Sequence, residues 1–437
     1  MAYDPRVRNR AGAMRPVVVM AALVPIAAHA AGETSARPPV RVIPPQQTGK
    51  EPVEPDDLPG PPLEVAAGGA SVRLPAIPDF ASKSSGKAAN SAAPLAAPAV
   101  AVVTQAPMRK VVGAAARNFS IEALNRCNDA INARRYQVAV TACQAAIDAW
   151  DGNHLAWYAK GNAHIAKDEY AAAGAALERA VALRPDVAMY QMAYGIALYE
   201  TEIARAREDR ARKDRKDADD GAADPVGLKL DGARAALVRA TTIAPNLWRS
   251  HGYLGFIYRD LRDPRAAAEE LTLAIKANPA YRSGYIALTE LYRRWAFREQ
   301  ALAVATLGTV HVPRSGTADL WFEVGICHEE MHNNDEAIEA YSKALALTPD
   351  APILRLHRGW VYYAKRNPAA AKRDLETVAS STDPRLAGAK QAAELILTQI
   401  DAGVLPEKTY RTCKVLNGCT VARIPNFDWL GDDWSQL

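Results

Sequence analysis

The chain has almost no excess charge: 53 Lys and Arg against 49 Asp and Glu leave a formal net charge of +4. Arg6, Arg8, Arg10 and Arg15, offset by Asp4, supply +3 of that before residue 30, so the remainder is nearly neutral. Nucleic-acid binding, which needs a basic face, has no support in this composition. The apolar run from Pro16 to Ala28 falls short of the roughly 20 residues a spanning helix needs, and Pro16 and Pro25 break it. No Gly-rich phosphate loop, nucleophile elbow or pair of catalytic carboxylates stands out. Cysteine is scarce, with five in 437 residues; four of them form two close pairs, Cys127 with Cys143 and Cys413 with Cys419.

What is present begins at the N-terminus. A basic start, a short apolar stretch and Ala28-His29-Ala30 before Ala31-Gly32 have the layout of a secretory signal peptide over residues 1–30, with Met14 as an alternative start. The protein is therefore expected to be exported, to the periplasm or outside the cell, with no membrane span after signal cleavage. No cysteine follows the expected cut, so no lipid anchor is expected there. Residues 31–117 hold 14 of the 29 prolines, with many alanines and few aromatics. Such a stretch cannot bury enough apolar surface to offset its chain entropy, and a disordered Pro/Ala-rich linker is expected.

Beyond it the chain is periodic. Trp321, Gly325, Ala337, Tyr341, Ala344 and Pro349 stand at offsets of 4, 16, 20, 23 and 28 residues from the tryptophan. Two short helices packed back to back need small residues where their axes approach, and Gly325 and Ala337 supply them. Tyr341 and Ala344 share a face of the second helix, which Pro349 then stops. The alanine recurs at Ala139, Ala173, Ala233, Ala267, Ala301, Ala337 and Ala371, at intervals of 34, 60, 34, 34, 36 and 34. The glycine recurs at Gly161, Gly195, Gly255, Gly325 and Gly359, with Cys127 and Thr289 as small substitutes in the first and fifth units. Pro185, Pro245, Pro279, Pro313 and Pro349 keep the same spacing.

These three columns resemble the tetratricopeptide repeat, whose period is 34 residues. The resemblance implies an all-α fold: a right-handed superhelix of about seven helical hairpins over residues 120–384, closed by a capping helix at 385–402. Ala233 follows Gly195 by 38 positions where the spacing in other units is 12, so 26 residues are inserted within 196–232. The insert is expected to lengthen the first helix of its repeat and loop back as a solvated, charged projection. In the first repeat Cys127 and Cys143 sit on paired helices, either as a disulfide or, if their diagonal positions hold the Cα atoms more than about 7 Å apart, as two buried thiols. The tail, 403–437, places Cys413 and Cys419 around Asn417-Gly418: a disulfide loop is expected there, with a hairpin as the competing arrangement.

The implied function is that of a non-catalytic protein-interaction scaffold of the cell envelope, without cofactor or metal. A peptide or partner protein would lie in a concave groove built from the first helix of each repeat. Its lining would be Tyr158, Asn162, Tyr199, Arg249, Tyr253, Phe256, Arg259, Arg293, Arg294, Trp360 and Tyr363, with Met192, Glu290, Glu323 and Glu329 among them. The partner's identity and the oligomeric state stay open. Two alternatives are kept. His328-Glu329-Glu330-Met331-His332 matches the H-E-x-x-H motif of zinc hydrolases. The repeat register, however, sets His328 at the packing position of Tyr258, Tyr292 and Tyr362, and His332 at a helix end. Alternatively, the tail around Trp429 and Trp434 could occupy the chain's own groove.

Overall fold

The structure, a computed structural model, describes residues 72–83, 112–213 and 227–406. The expected signal segment, most of the linker, the centre of the charged insertion, and Cys413, Cys419, Trp429 and Trp434 lie outside the described residues. Those residues hold fifteen α-helices and no strand. Seven hairpins follow one another: α1 (Ala114–Asn132) with α2 (Tyr136–Ala149), α3 (His154–Ile165) with α4 (Tyr170–Leu183), α5 (Ala188–Lys213) with α6 (Asp231–Ile243), and α7 (Trp248–Asp260) with α8 (Pro264–Ala277). After them come α9 (Arg282–Arg294) with α10 (Arg298–His311), α11 (Ala318–Glu330) with α12 (Asn334–Leu347), and α13 (Pro352–Ala364) with α14 (Pro368–Ala379). A last helix, α15 (Ala387–Asp401), packs on α13 and α14. No helix among the described residues is long and apolar enough to cross a membrane.

The repeat columns are the contacts that hold each hairpin closed. A Cβ at Gly161 would sit 2.5 Å from Leu177 Cγ, and one at Gly255 would sit 2.6 Å from Leu271 Cγ. Gly195 faces Leu237 in the same way, and Gly359 faces Leu375. The glycine thus makes room for the large side chain four residues after the alanine, while the alanine's carbonyl comes close as well, 3.0 Å from a Cβ at Gly195 in the case of Ala233. The first hairpin solves the same contact covalently: Cys127 and Cys143 form a disulfide, their Cα atoms 5.2 Å apart. Of the two expectations, the bonded one holds, because these positions face each other and are not diagonal.

Six of the seven hairpins, all but α5–α6, turn through one residue in the left-handed region: Arg134, Asp168, Arg262, Ala296, His332 and Arg366 have φ between 56° and 62°. The following residue's N–H closes a six-residue loop back into the first helix, as in Arg135 N–H to Ala130 O at 2.8 Å and Asn333 N–H to His328 O at 2.9 Å. This is a Schellman stop without its usual glycine. The second helices start on side-chain caps where the sequence offers them: Asp263 accepts from Ala266 N–H and Asn367 from Ala370 N–H, each followed by proline at the first helical position.

Odd-numbered helices also meet their odd-numbered successors, α1 on α3 through α9 on α11 and again α13 on α15, whereas even-numbered helices pack mainly on the odd helices either side. The odd helices therefore form the tighter, inner layer. At the insertion α5 runs to 26 residues, and Glu202 ties its extension to the returning chain by accepting from Lys229 N–H at 2.7 Å and pairing with Arg205.

One stretch of the expected linker departs from that expectation. Residues 72–83 pack on the repeats, with Val72 and Phe80 each only 6% exposed and Leu74 and Ile77 against the same cluster. Four apolar side chains within nine residues are enough to anchor a short segment even in Pro/Ala-rich surroundings. The helical part also starts earlier than expected, at Ala114.

Candidate functional site

The expected groove residues all lie on odd helices, but packing divides them. Tyr199, Arg249, Tyr253, Trp360 and Tyr363 are buried; Tyr158, Asn162, Phe256, Arg259 and Arg293 are partly covered; Arg294 is exposed. The buried ones are fixed by neighbouring repeats. Tyr199 of α5 donates to Asp260 of α7 at 2.8 Å, and Tyr253 of α7 donates to Glu200 of α5 at 3.2 Å. The rings of Tyr199 and Tyr253 meet edge to face at 5.7 Å. Tyr363 donates to the carbonyl of Val404, just past α15, and meets the Trp360 ring edge to face at 5.9 Å, so the chain after α15 covers this end of the expected groove.

Arg293 is not a free contact. Its guanidinium donates to Glu330 at 2.7 Å and to Glu323 at 3.2 Å, both on α11, and its side chain is 10% exposed. Burial disfavours its charge, but Glu323 and Glu330 outweigh that and hold its pKa above the usual guanidinium range. Glu323 is fully buried, and burial pushes its carboxyl up to about 7 against the pull of Arg293. The next step of the series joins α11 to α13: His357 Nδ1 lies 2.9 Å from Glu329 Oε2, which also accepts from the Tyr341 hydroxyl at 2.5 Å. At the other end His154 of α3 meets the Tyr190 hydroxyl of α5 at 2.6 Å. Polar bonds thus join α3 to α5, α5 to α7, α9 to α11 and α11 to α13.

These bonds went unread in the sequence because the repeat pattern assigns inner positions to ligand contacts. Their signal was chemical: Glu323, Glu329, Arg293 and His357 are expensive to bury singly and so must find each other. What stays reachable is a smaller set: Tyr158 and Asn162 on α3, Phe256 and Arg259 on α7, and Glu290 and Arg294 on α9. Arg259 pairs with Asp260 and lies over the Phe256 ring at 5.5 Å, and Arg294 pairs with Glu290. Asn162 keeps a buried Oδ1 with no hydrogen-bond partner.

The H-E-x-x-H stretch does not make the face that zinc needs. His328 lies on α11 and is partly buried, which holds its pKa below the ordinary histidine value; His332 lies in the turn after the helix, at φ 62°. Two histidines four apart converge only while the helix continues through both. Among the described residues no group of three or more His, Cys, Asp and Glu is placed to hold a metal ion.

A separate packed surface lies where residues 72–83 meet the fifth repeat. Phe80 is ringed by Tyr292 at 6.1 Å, Trp295 at 5.5 Å and Phe297 at 5.4 Å, the last two edge to face. Lys83 lies over the Phe297 ring at 5.6 Å.

Known proteins agree with the repeat register. The family described as TPR repeat matches residues 331–365, and that described as Tetratricopeptide repeat matches 124–188 and 158–205. No curated protein matches at a significant level. Similar solved structures include a tetratricopeptide repeat protein from Parabacteroides merdae (12% identity, 64% of this chain and 97% of that one, TM-score 0.43). Others are YrrB, a TPR protein with an unusual peptide-binding site (18%, 52% and 100%, 0.35), and PilW, a type IV pilus biogenesis factor (15%, 53% and 94%, 0.41). The glycine-to-leucine closures of its hairpins and the family matches over residues 124–205 and 331–365 identify tetratricopeptide repeats in this chain.

Proposed function

We propose that the protein is a non-catalytic interaction scaffold of the cell envelope that holds a peptide or partner protein against the inner face of α3, α5, α7 and α9. The observation that carries this reading is the division of that face. Its buried residues brace one repeat against the next, while Tyr158, Asn162, Phe256, Arg259 and Arg294 keep surface to offer. Aromatic rings beside guanidinium groups suit an extended segment with acidic side chains, held by many small contacts along a pre-formed surface. Export is supported by the signal-like start and by the Cys127–Cys143 bond, since disulfides persist in oxidising compartments.

The test is crosslinking in cells with full-length chain, comparing wild type with Phe256→Asp combined with Arg294→Glu. Both sites are at least partly exposed, so helical circular dichroism should not change. Capture of a specific envelope protein should fall by about tenfold or more, the effect of losing a strong interface residue. Equal capture by both chains would remove the inner face from consideration. Capture of cytosolic proteins alone, with the N-terminus uncleaved, would remove the envelope.

A further inference from the structure

The contact between residues 72–83 and the fifth repeat has the features of a ligand in a site. Exposure follows the chemistry along the segment: Val72 and Phe80 are buried, Leu74, Pro75, Ile77 and Pro78 half-buried, and Arg73, Ala76 and Asp79 exposed. The apolar side chains point to the protein and the charges to water, at spacings of two, three and three residues. Pro75 and Pro78 fix their φ angles near those of an extended chain, which lowers the ordering cost of docking. Asp79 then reverses the backbone locally, accepting from Ala81 N–H at 3.0 Å, and so presents Phe80 to the three aromatic side chains. These three come from the end of α9, the turn and the residue before α10: Tyr292, Trp295 and Phe297. Edge-to-face packing on two sides is specific geometry that a merely greasy contact would not need.

We propose that this pocket is a peptide-recognition site distinct from the inner groove, that it selects extended apolar segments interrupted by proline and ending in an aromatic anchor, and that the chain's own residues 72–83 occupy it in cis. The 30 residues from 84 to 113 join the segment to α1, so docking is intramolecular. A tether of such length gives an effective concentration in the millimolar range, on the order of that of a competing peptide at millimolar level. The resident segment therefore excludes weak competitors and gives way only to a segment that binds more tightly or is itself tethered. Docking also fixes where the N-terminal part of the chain leaves the solenoid: at the fifth repeat and not at α1.

The experiment uses full-length chain and a labelled peptide of residues 70–84, followed by fluorescence anisotropy. The double variant Val72→Asp, Phe80→Asp changes no residue of an α-helix and should vacate the pocket. The peptide should bind the double variant at least about tenfold more tightly than it binds wild type, in which the tethered segment competes. Adding Trp295→Ala to the double variant, or Phe80→Asp to the peptide, should abolish binding, whereas Arg294→Glu in the inner groove should leave it unchanged. Hydrogen exchange supplies the second readout: amides of residues 290–299 should exchange faster in the double variant than in wild type. Equal peptide binding by wild type and double variant, no binding by the double variant, or unchanged exchange would each overturn the proposal. Because the pocket and the groove use different side chains, either can fail while the other stands.

Discussion

Cys127 of α1 and Cys143 of α2 are bonded at the position where, one repeat later, Gly161 makes room for Leu177. The first repeat therefore lacks the packing of its neighbours and replaces it with a covalent link. A terminal repeat has a partner on one side only, so it is the natural place for fraying in a linear array. Closing a loop of this size is worth about 3 kcal/mol in the chain-entropy account. Three chains separate the two contributions by the midpoint of N-terminal unfolding in urea. Wild type should be the most stable and Cys127→Ala with Cys143→Ala the least. Cys127→Gly with Cys143→Leu should fall between, because it restores the contact used by the second repeat. An alanine pair as stable as wild type would show that the bond contributes nothing.

Two glycines, one on α11 and one on α4, should respond to alanine with opposite signs. A Cβ at Gly325 would press into the ring of Tyr341, which is fully buried and hydrogen-bonded to Glu329. The ring cannot retreat without breaking that bond, so Gly325→Ala should cost about 1–3 kcal/mol, the usual range for overpacking. In the middle of α4, a Cβ at Gly174 would meet nothing within 4 Å. There Gly174→Ala should stabilise by roughly 0.5–1 kcal/mol through the lower entropy of the unfolded chain. Thermal unfolding of the two variants checks both signs at once.

The repeat frame was legible because it rests on volume. Gly161, Gly195, Gly255 and Gly359 are required by a leucine opposite, and the requirement recurs with the period, so spacing alone exposes it. The bonded cysteines were half-legible: Cys127 falls in the glycine column, but that Cys143 stands at the position Leu177 takes one repeat later, against that column, is visible only in the structure. The inner face was legible only as far as which helices build it. Whether Tyr199 or Arg293 faces a ligand or the next repeat depends on a partner in another repeat, such as Asp260 or Glu323, and a single-repeat pattern holds no record of it. The docked segment left one trace: Phe80 is the only aromatic residue between 31 and 117, preceded by Val72, Leu74 and Ile77 at intervals of two, three and three residues.

The contrast between Arg293 and Arg294 gives the final prediction, because adjacent arginines should behave as a structural and a surface residue. Removing Arg293 leaves Glu323 buried without its cation, so Arg293→Ala should cost about 3–5 kcal/mol at neutral pH. Arg294 is half-exposed with one partner, Glu290, on its own helix, and Arg294→Ala should change stability by no more than about 0.5 kcal/mol. The Glu323 carboxyl adds a pH dependence of known sign. Burial raises its pKa from 4.5 to about 7, with Arg293 opposing and Glu290 and Glu330 reinforcing. Between those values the folded protein keeps a proton that the unfolded chain releases, so Glu323 disfavours the fold increasingly as pH rises from 4.5 to 7. Glu323→Gln mimics the protonated form. Its stability relative to wild type, measured by urea unfolding, should be near equal at pH 4.5 and should gain on the order of 2–3 kcal/mol by pH 7.5. His251, which despite its burial Glu270 and the Pro245 carbonyl hold above the ordinary histidine value, is common to both chains and cancels in the difference. A difference that stays constant across this range would mean that Glu323 is ionised throughout, with Arg293 holding it.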